Sequence, residues 1–349
     1  MRHFLVTLLA LLASSVHVVS FHSASLPSKS VQGPLFSADT EQASTSDDTT
    51  TTTSSSNQKI SVLLCPAQFC VPVDYEELFD NLQTTRRANI DKGLQLPEIG
   101  TCRVAPLPRT EWIKVARQLP TRNFLEATLS AKTTLGWYFD AIEQALSEIY
   151  AIEGADTKVC IIAHSIGGWV ARGYLGGLAG SSTAVFQRTL EQCSSLITLG
   201  TPHSSPEEAL VDQTRGLLRE IENTPSCSPQ ALADLGIDVT CVGSAGVDGS
   251  FLSANPEELV AASSYLPLMG KLGVKGDGIT PLDLAFLEEP ARKVVVENCS
   301  LTGEPVRHAH VLPTPWNLWD GSAPSIKLPE GYVSYVSEGV LPQWSQYIR

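Results

Sequence analysis

Between residues 159 and 175 an unbroken apolar stretch, Val159-Cys160-Ile161-Ile162-Ala163, runs through His164-Ser165-Ile166-Gly167-Gly168 into Trp169-Val170-Ala171-Arg172-Gly173-Tyr174-Leu175. Five apolar residues in a row read as a strand buried on both faces, and the segment after the glycines reads as a helix. A chain that passes from buried strand to helix through one serine must turn sharply there. The spacing is small-x-Ser-x-Gly, with Ala163 in the first small position. Small residues are needed on both sides because a larger side chain would strike neighbouring backbone; alanine adds one methyl to glycine and keeps the geometry. Such a turn presents the Ser165 hydroxyl at the top of a sheet and puts the Ile166 N–H at a helix N-terminus, where it can donate to a developing oxyanion. The five-residue pattern alone is weak, since a serine that merely caps a helix also matches it. The strand before it and the glycine pair after it single this one out.

The chain around this turn alternates short apolar runs with helical stretches. Further strands are expected at 60–65, 102–107, 195–199, 239–242 and 293–296. Runs that are apolar throughout suit a parallel sheet covered by helices on both faces, so residues 59–349 are expected to form one α/β domain. A helix is expected over 74–82, with Asp74 as N-cap and Glu77 three residues on. A longer one is expected over about 133–151, where Leu135, Tyr138, Phe139, Ile142, Ala145, Leu146 and Ile149 share a face.

A nucleophilic serine needs a base and an acid behind it. Beyond residue 58 the histidines are His164, His203, His308 and His310. His164 adjoins Ser165 on the turn, so its side chain should point away, and His203 directly follows a strand and precedes the acid. The chain order Ser, Asp, His leaves His308 or His310 as the base. For the acid, Asp277 lies between glycines in Lys275-Gly276-Asp277-Gly278-Ile279-Thr280-Pro281, a tight loop, with Asp248 in reserve. A second oxyanion donor should lie in the loop after the first strand. There Gln68 and Phe69 are the candidates, Gln68 preferred over Phe69.

The formal charge is −13, with 37 acidic residues against 24 basic, and the longest basic cluster is Arg86-Arg87. Nucleic acid is therefore not an expected partner. Eight cysteines show no CxxC pair and no metal spacing, and Cys65 and Cys160 fall inside apolar runs; mostly free structural thiols are expected, with a disulfide-bearing secreted protein as the alternative.

Met1-Arg2-His3 followed by the apolar run 4–13 has the length of a signal-peptide core, too short to span a bilayer. Residues 1–20 are read as a signal peptide. The junction Val18-Val19-Ser20-Phe21 resembles the bipartite plastid-targeting presequence of diatoms and related algae, and 21–58 reads as a Ser/Thr-rich transit peptide or linker. Asp39, Glu41, Asp47 and Asp48 make this segment acidic, unlike most transit peptides. The expected destination is a complex algal plastid, with a secreted or endomembrane protein as the alternative. No later stretch reaches about 18 unbroken apolar residues, so the mature chain is expected to be soluble or peripheral.

Taken together, the turn at Ser165, Leu199-Gly200-Thr201-Pro202-His203, Asp212-Gln213-Thr214-Arg215-Gly216-Leu217-Leu218, Gly276-Asp277-Gly278-Ile279-Thr280-Pro281 and Trp137-Tyr138 resemble the α/β-hydrolase superfamily. The likeness is to its lipase-like branch with GPI inositol-deacylases, and most of all to chloroplast α/β-hydrolases of plants and algae. The resemblance implies an α/β-hydrolase fold and a triad of Ser165, Asp277 and a histidine ahead of a proline; His308, five residues before Pro313, fits better than His310. It implies hydrolysis of a carboxylic ester, an acyl lipid above all, with Ile166 and Gln68 holding the oxyanion, and no metal or organic cofactor. Acyl transfer on the same triad and a non-catalytic hydrolase-fold binding protein are the rival readings. The pattern departs from the family at Ala163 and at Pro66-Ala67, where Pro-Gly is more usual. Residues 204–273, rich in Leu, Ala, Ser and Pro, are expected as a cap over the site suited to an acyl chain, and peripheral membrane contact follows as an expectation.

Overall fold

The computed structural model describes residues 59–180, 182–210, 212–312, 320–329 and 331–349. The predicted signal peptide, the Ser/Thr-rich segment and Pro313 lie outside them. Six strands make one sheet: β1 (Lys59–Cys65), β2 (Glu98–Val104), β3 (Lys158–His164), β4 (Cys193–Leu199), β5 (Asp238–Ser244) and β6 (Arg292–Val296). Their order is β2-β1-β3-β4-β5-β6 and every pairing is parallel. The register aligns the upper ends, with Cys65 opposite Ala163, His164 opposite Leu199, and Leu199 opposite Val242.

Parallel strands need helical crossovers, and these cover both faces. Because side chains alternate along a strand, each central strand feeds two cores. Leu63, Cys65, Ile161, Ala163 and Leu196 pack in one cluster with α2 (Ala131–Glu153), α3 (Ile166–Leu175) and Phe186 of α4 (Ala184–Gln192). Val62, Leu64, Cys160, Ile162 and Ile197 face α1 (Glu76–Asp91) and the C-terminal Trp344 and Ile348. This two-sided demand is why β1, β3 and β4 are apolar at successive positions. With Ser165 on the turn out of a central strand, the architecture is the α/β-hydrolase fold.

The boundaries differ from expectation where polar residues carry regular structure. The edge strand begins at Glu98, not at residue 102. Its outer side tolerates polar groups, and the Thr101 N–H and hydroxyl both donate to Glu153 Oε1 at the end of α2. The helix expected at 74–82 starts at Glu76 and continues to Asp91. Buried Leu78, Leu82 and Arg86 recur every four residues, and the Arg86 guanidinium donates to the Ser345 and Ile348 carbonyls, so a charged residue completes the inward stripe. Asp74 is not the cap of that helix. It lies in the preceding 3-10 turn and accepts from the Val71 N–H. The long helix α2 extends two residues past each end of its expected span, and Glu220 caps its start by accepting from Ser130 Oγ and the Ala131 N–H.

The region expected as one cap, 204–273, is divided. It contains β5, which is paired on both sides inside the sheet, so 204–237 and 245–273 are separate connections. The first carries α5 (Leu217–Glu222) and α6 (Pro229–Asp234), and the second carries α7 (Pro256–Met269). The strand expected at 239–242 is this β5, and the single cap was drawn across it. All eight cysteines are free, seven buried and Cys102 half-buried. No helix among the described residues is long and apolar enough to cross a membrane.

Candidate active site

Ser165 stands between β3 and α3 with φ of 55° and ψ of −127°, a backbone state that costs a side-chain-bearing residue about 1–3 kcal/mol. The surroundings hold it there. Its N–H donates to the Leu199 carbonyl at 2.9 Å, and its carbonyl accepts from the Gly168 N–H and from Thr201 Oγ1 at 2.8 Å. The glycine pair is required sterically. A Cβ on Gly167 would lie 2.4 Å from the Cys65 carbonyl oxygen, and one on Gly168 would lie 2.1 Å from Thr201 Oγ1. The start of α3 therefore rests directly on the end of β1, bringing the loop after β1 beside the serine.

His308 Nε2 lies 2.9 Å from Ser165 Oγ, and His308 Nδ1 lies 2.8 Å from Asp277 Oδ2. With Nδ1–H facing a carboxylate, the Nε2 lone pair faces the hydroxyl, the tautomer a general base needs. The aspartate is saturated with donors. Oδ1 accepts from the Ile279 and Thr280 N–H groups, and Oδ2 also accepts from the Tyr335 hydroxyl at 2.8 Å. The His308 N–H donates to the Asp277 carbonyl, so the two loops are also joined through their backbones. Gly200 lies beneath both residues at φ of 56°; a Cβ there would come within 2.6 Å of Asp277 Oδ2 and 3.0 Å of His308 Nδ1. Asp277 and His308 are buried, whereas Ser165 is half-exposed, so the chain of hydrogen bonds opens to solvent at the serine hydroxyl.

The remaining candidates lie elsewhere. His310 Nε2 donates to the Asp74 carbonyl at 2.7 Å, and His203 is buried against Thr198, Cys241 and Arg172. Asp248 is exposed on a short hairpin and pairs with Lys275. His164 points away from Ser165, and its Nε2 donates to the His308 carbonyl at 2.8 Å. Burial, followed by the neighbouring His308 and His310, holds the His164 imidazole well below its ordinary pKa.

Ile166 opens α3, so its N–H has no partner within the helix. Gln68 is exposed at the corner of a turn closed by the Cys70 N–H on the Ala67 carbonyl, and Phe69 follows at φ of 62°. Three buried side chains pin this loop: Tyr138 donates to the Pro66 carbonyl, Tyr75 accepts from the Ala67 N–H, and Arg109 Nε donates to the Phe69 carbonyl at 2.9 Å. Arg109 in turn donates to the Ala323 carbonyl and to Ser325 Oγ, and Ser325 donates to the buried Asp74 carboxylate. Tyr335, Tyr75 and Arg109 carry no local sequence signal. Thr201 and Gly200 had one, since both belong to the Leu-Gly-Thr-Pro-His stretch. Asp212, of the Asp-Gln-Thr-Arg-Gly stretch, folds its own loop by accepting from Thr214 and Gly216. Among the described residues no cluster of His, Cys, Asp or Glu could hold a metal ion.

A PGAP1-like alpha/beta domain model matches residues 128–255, which takes in β3, the Ser165 turn, β4 and β5 and stops before Asp277 and His308. No curated protein matches the chain. Among solved structures, an acetyl xylan esterase aligns at 14% identity and a TM-score of 0.27, over 43% of this chain and 67% of its own. The phospholipase PlaB from Legionella pneumophila aligns at 14% identity and a TM-score of 0.32, over 64% of this chain and 44% of its own. Lipase B from Aspergillus fumigatus aligns at 10% identity and a TM-score of 0.33, over 84% of this chain and 62% of its own.

Proposed function

We propose that the protein is a serine hydrolase of carboxylic esters, with Ser165 as nucleophile, His308 as base and Asp277 as its orienting acid. The observation that carries this reading is the continuous chain from Asp277 Oδ2 through both His308 nitrogens to a strained, half-exposed Ser165 hydroxyl. In this mechanism His308 Nε2 takes the Ser165 proton as Oγ attacks the ester carbonyl carbon. The negative charge that gathers on the carbonyl oxygen is met by the Ile166 and Gln68 N–H groups. The imidazolium, held by Asp277, returns the proton to the departing alkoxide and leaves an acyl-serine. Water, deprotonated by the same nitrogen, releases the acid.

An acyl lipid is the substrate class we favour. Helix α7 packs on the Asp277 loop, where Ser264 Oγ donates to the Ile279 carbonyl and Tyr265 accepts from the Gly278 N–H. On and around it Leu210, Phe251, Leu252, Leu259 and Leu272 are exposed, apolar side chains suited to acyl chains or to peripheral contact with a lipid surface. The test is covalent labelling by a fluorophosphonate together with hydrolysis of a short p-nitrophenyl ester. Labelling that requires Ser165 supports the reading; an inert protein would mean a binding module on a hydrolase scaffold. For the plastid destination, supported by the sequence around Phe21, a fluorescent protein fused after residue 58 should enter a diatom plastid, and Phe21→Ala should divert it. Secretion of the unaltered fusion would overturn that destination.

A further inference from the structure

Tyr75 is fully buried, and its hydroxyl lies 2.9 Å from the Ala67 nitrogen and 2.9 Å from His164 Nδ1, while His164 Nε2 lies 2.8 Å from the His308 carbonyl. These three contacts admit one proton arrangement. A carbonyl only accepts, so His164 Nε2 carries the hydrogen. Burial keeps the imidazole neutral, so Nδ1 is the acceptor and the Tyr75 hydroxyl must donate to it. The hydroxyl then offers a lone pair to the Ala67 N–H. Burial also holds the Tyr75 phenol well above its ordinary pKa, so the proton it donates is present throughout. Every polar atom in the chain is used, and all its bonds run one way.

What the chain joins gives it a meaning beyond satisfying buried groups. Ala67 precedes Gln68 in the loop after β1, His164 precedes Ser165, and the His308 carbonyl belongs to the residue whose ring faces Ser165 Oγ. These are three separate segments, drawn together only at this point. We propose that Tyr75 and His164 are positioning residues, one neutral hydrogen-bonded chain that holds the loop after β1 and the His308 loop in fixed spacing about Ser165. The donor side and the base side of the site are thereby set together. Neither residue touches the reacting atoms. The proposal rests on the serine-hydrolase reading above.

The test uses the full-length protein with p-nitrophenyl butyrate for kinetics and a fluorophosphonate to count active sites in each preparation. Tyr75→Phe removes one oxygen, and His164→Phe removes both of its hydrogen bonds. Each should lower kcat about 10- to 100-fold, because small displacements of reacting groups are costly, while KM changes by less than about threefold. The double variant should lose no more than about threefold beyond the worse single one, since either substitution breaks the same chain. His164→Gln, whose amide can still donate to the His308 carbonyl, should recover most of the His164→Phe loss. Should His164→Phe fail to fold, Tyr75→Phe and His164→Gln carry the comparison. The proposal is overturned if the parent labels and turns over while the folded variants keep kcat within threefold per labelled site, or if the two losses multiply. A parent that neither labels nor turns over would instead overturn the hydrolase reading, and this proposal with it.

Discussion

Helix α3 separates two buried polar clusters, each built around a histidine, and only one of them has the makings of a catalyst. At its N-terminal end His308 has a carboxylate on one nitrogen and a half-exposed hydroxyl on the other. At its C-terminal end His203 is 1% exposed; its Nδ1 lies 3.4 Å from Arg172, and its Nε2 lies 3.0 Å from Thr198 Oγ1. Burial first, and then the Arg172 charge, push the His203 pKa well down. Arg172 is itself buried, and among the described residues its Nε has no hydrogen-bond partner and no carboxylate is at ion-pair distance from it. The negative end of α3 offers partial compensation. The difference teaches that burial and hydrogen bonding do not make a histidine a base. What sets His308 apart is a carboxylate on one nitrogen and an accessible hydroxyl on the other.

The sharpest break of this comparison is Ser165→Ala. It should retain the fold, since one oxygen is lost at a half-exposed turn, and lower ester turnover by about 10⁴-fold or more. Activity within tenfold of the parent would show that the N-terminal cluster is not the site. Replacing the histidines separates the clusters next. His308→Ala should match Ser165→Ala in rate, whereas His310→Ala should keep most activity. His203→Gln should stay within about tenfold of the parent in rate while unfolding more readily, by about 1–3 kcal/mol in urea, because Arg172 and Thr198 lose a buried partner. The reverse pattern would exchange the roles of the two clusters. Tyr335→Phe, which deletes one of four hydrogen bonds to the Asp277 carboxylate, should lower kcat about tenfold with KM little changed. An unaltered kcat would reduce that tyrosine to packing.

Acid is expected to report on the same burial. His164 and His203 stay neutral in the folded protein well below the ordinary histidine pKa, chiefly through desolvation. Above about pH 6.5 neither folded nor unfolded chain holds these protons; below it only the unfolded chain binds them. Stability therefore falls as pH falls, by up to about 1.4 kcal/mol per pH unit for each histidine. Urea titrations at pH 7.5 and 5.5 should show the loss, and His203→Gln should reduce it; a flat profile would mean the imidazoles are solvated. The smallest effect is expected from Arg172→Met. Loss of a buried charge with no carboxylate at ion-pair distance offsets loss of its long hydrogen bonds to His203, so stability should change by less than about 1 kcal/mol. A large loss would reveal a counter-charge.

Much of this was legible in one dimension because it depends on local rules. The strand-turn-helix at Ser165 announces itself through five apolar residues and two glycines, and the structure shows why those glycines are needed, against Cys65 and Thr201. Asp277 was marked by flanking glycines, which its tight loop requires. The edge strand and the first helix were misjudged at their ends because their inward or bonded positions are filled by Thr101 and Arg86, polar residues whose partners, Glu153 and the Ser345 and Ile348 carbonyls, are remote in sequence. The single cap over 204–273 failed for another reason: it spanned the strand expected at 239–242, which the sheet takes up as β5 between two parallel partners.

Residue order alone therefore determined the strands of a parallel sheet, the serine turn and a short list of bases, since each follows from periodicity, side-chain size and chain direction. Only the tertiary structure showed which of the four histidines stands between a carboxylate and the Ser165 hydroxyl, and it brought in Tyr335, Tyr75 and Arg109. Choosing a base depends on which atoms stand within about 3 Å of its two nitrogens, the reach of a hydrogen bond. Asp277, Ser165 and Tyr335 reach that point from three connections spread along the chain. A distance of that kind is set by how strands stack in register, and no stretch of sequence carries it.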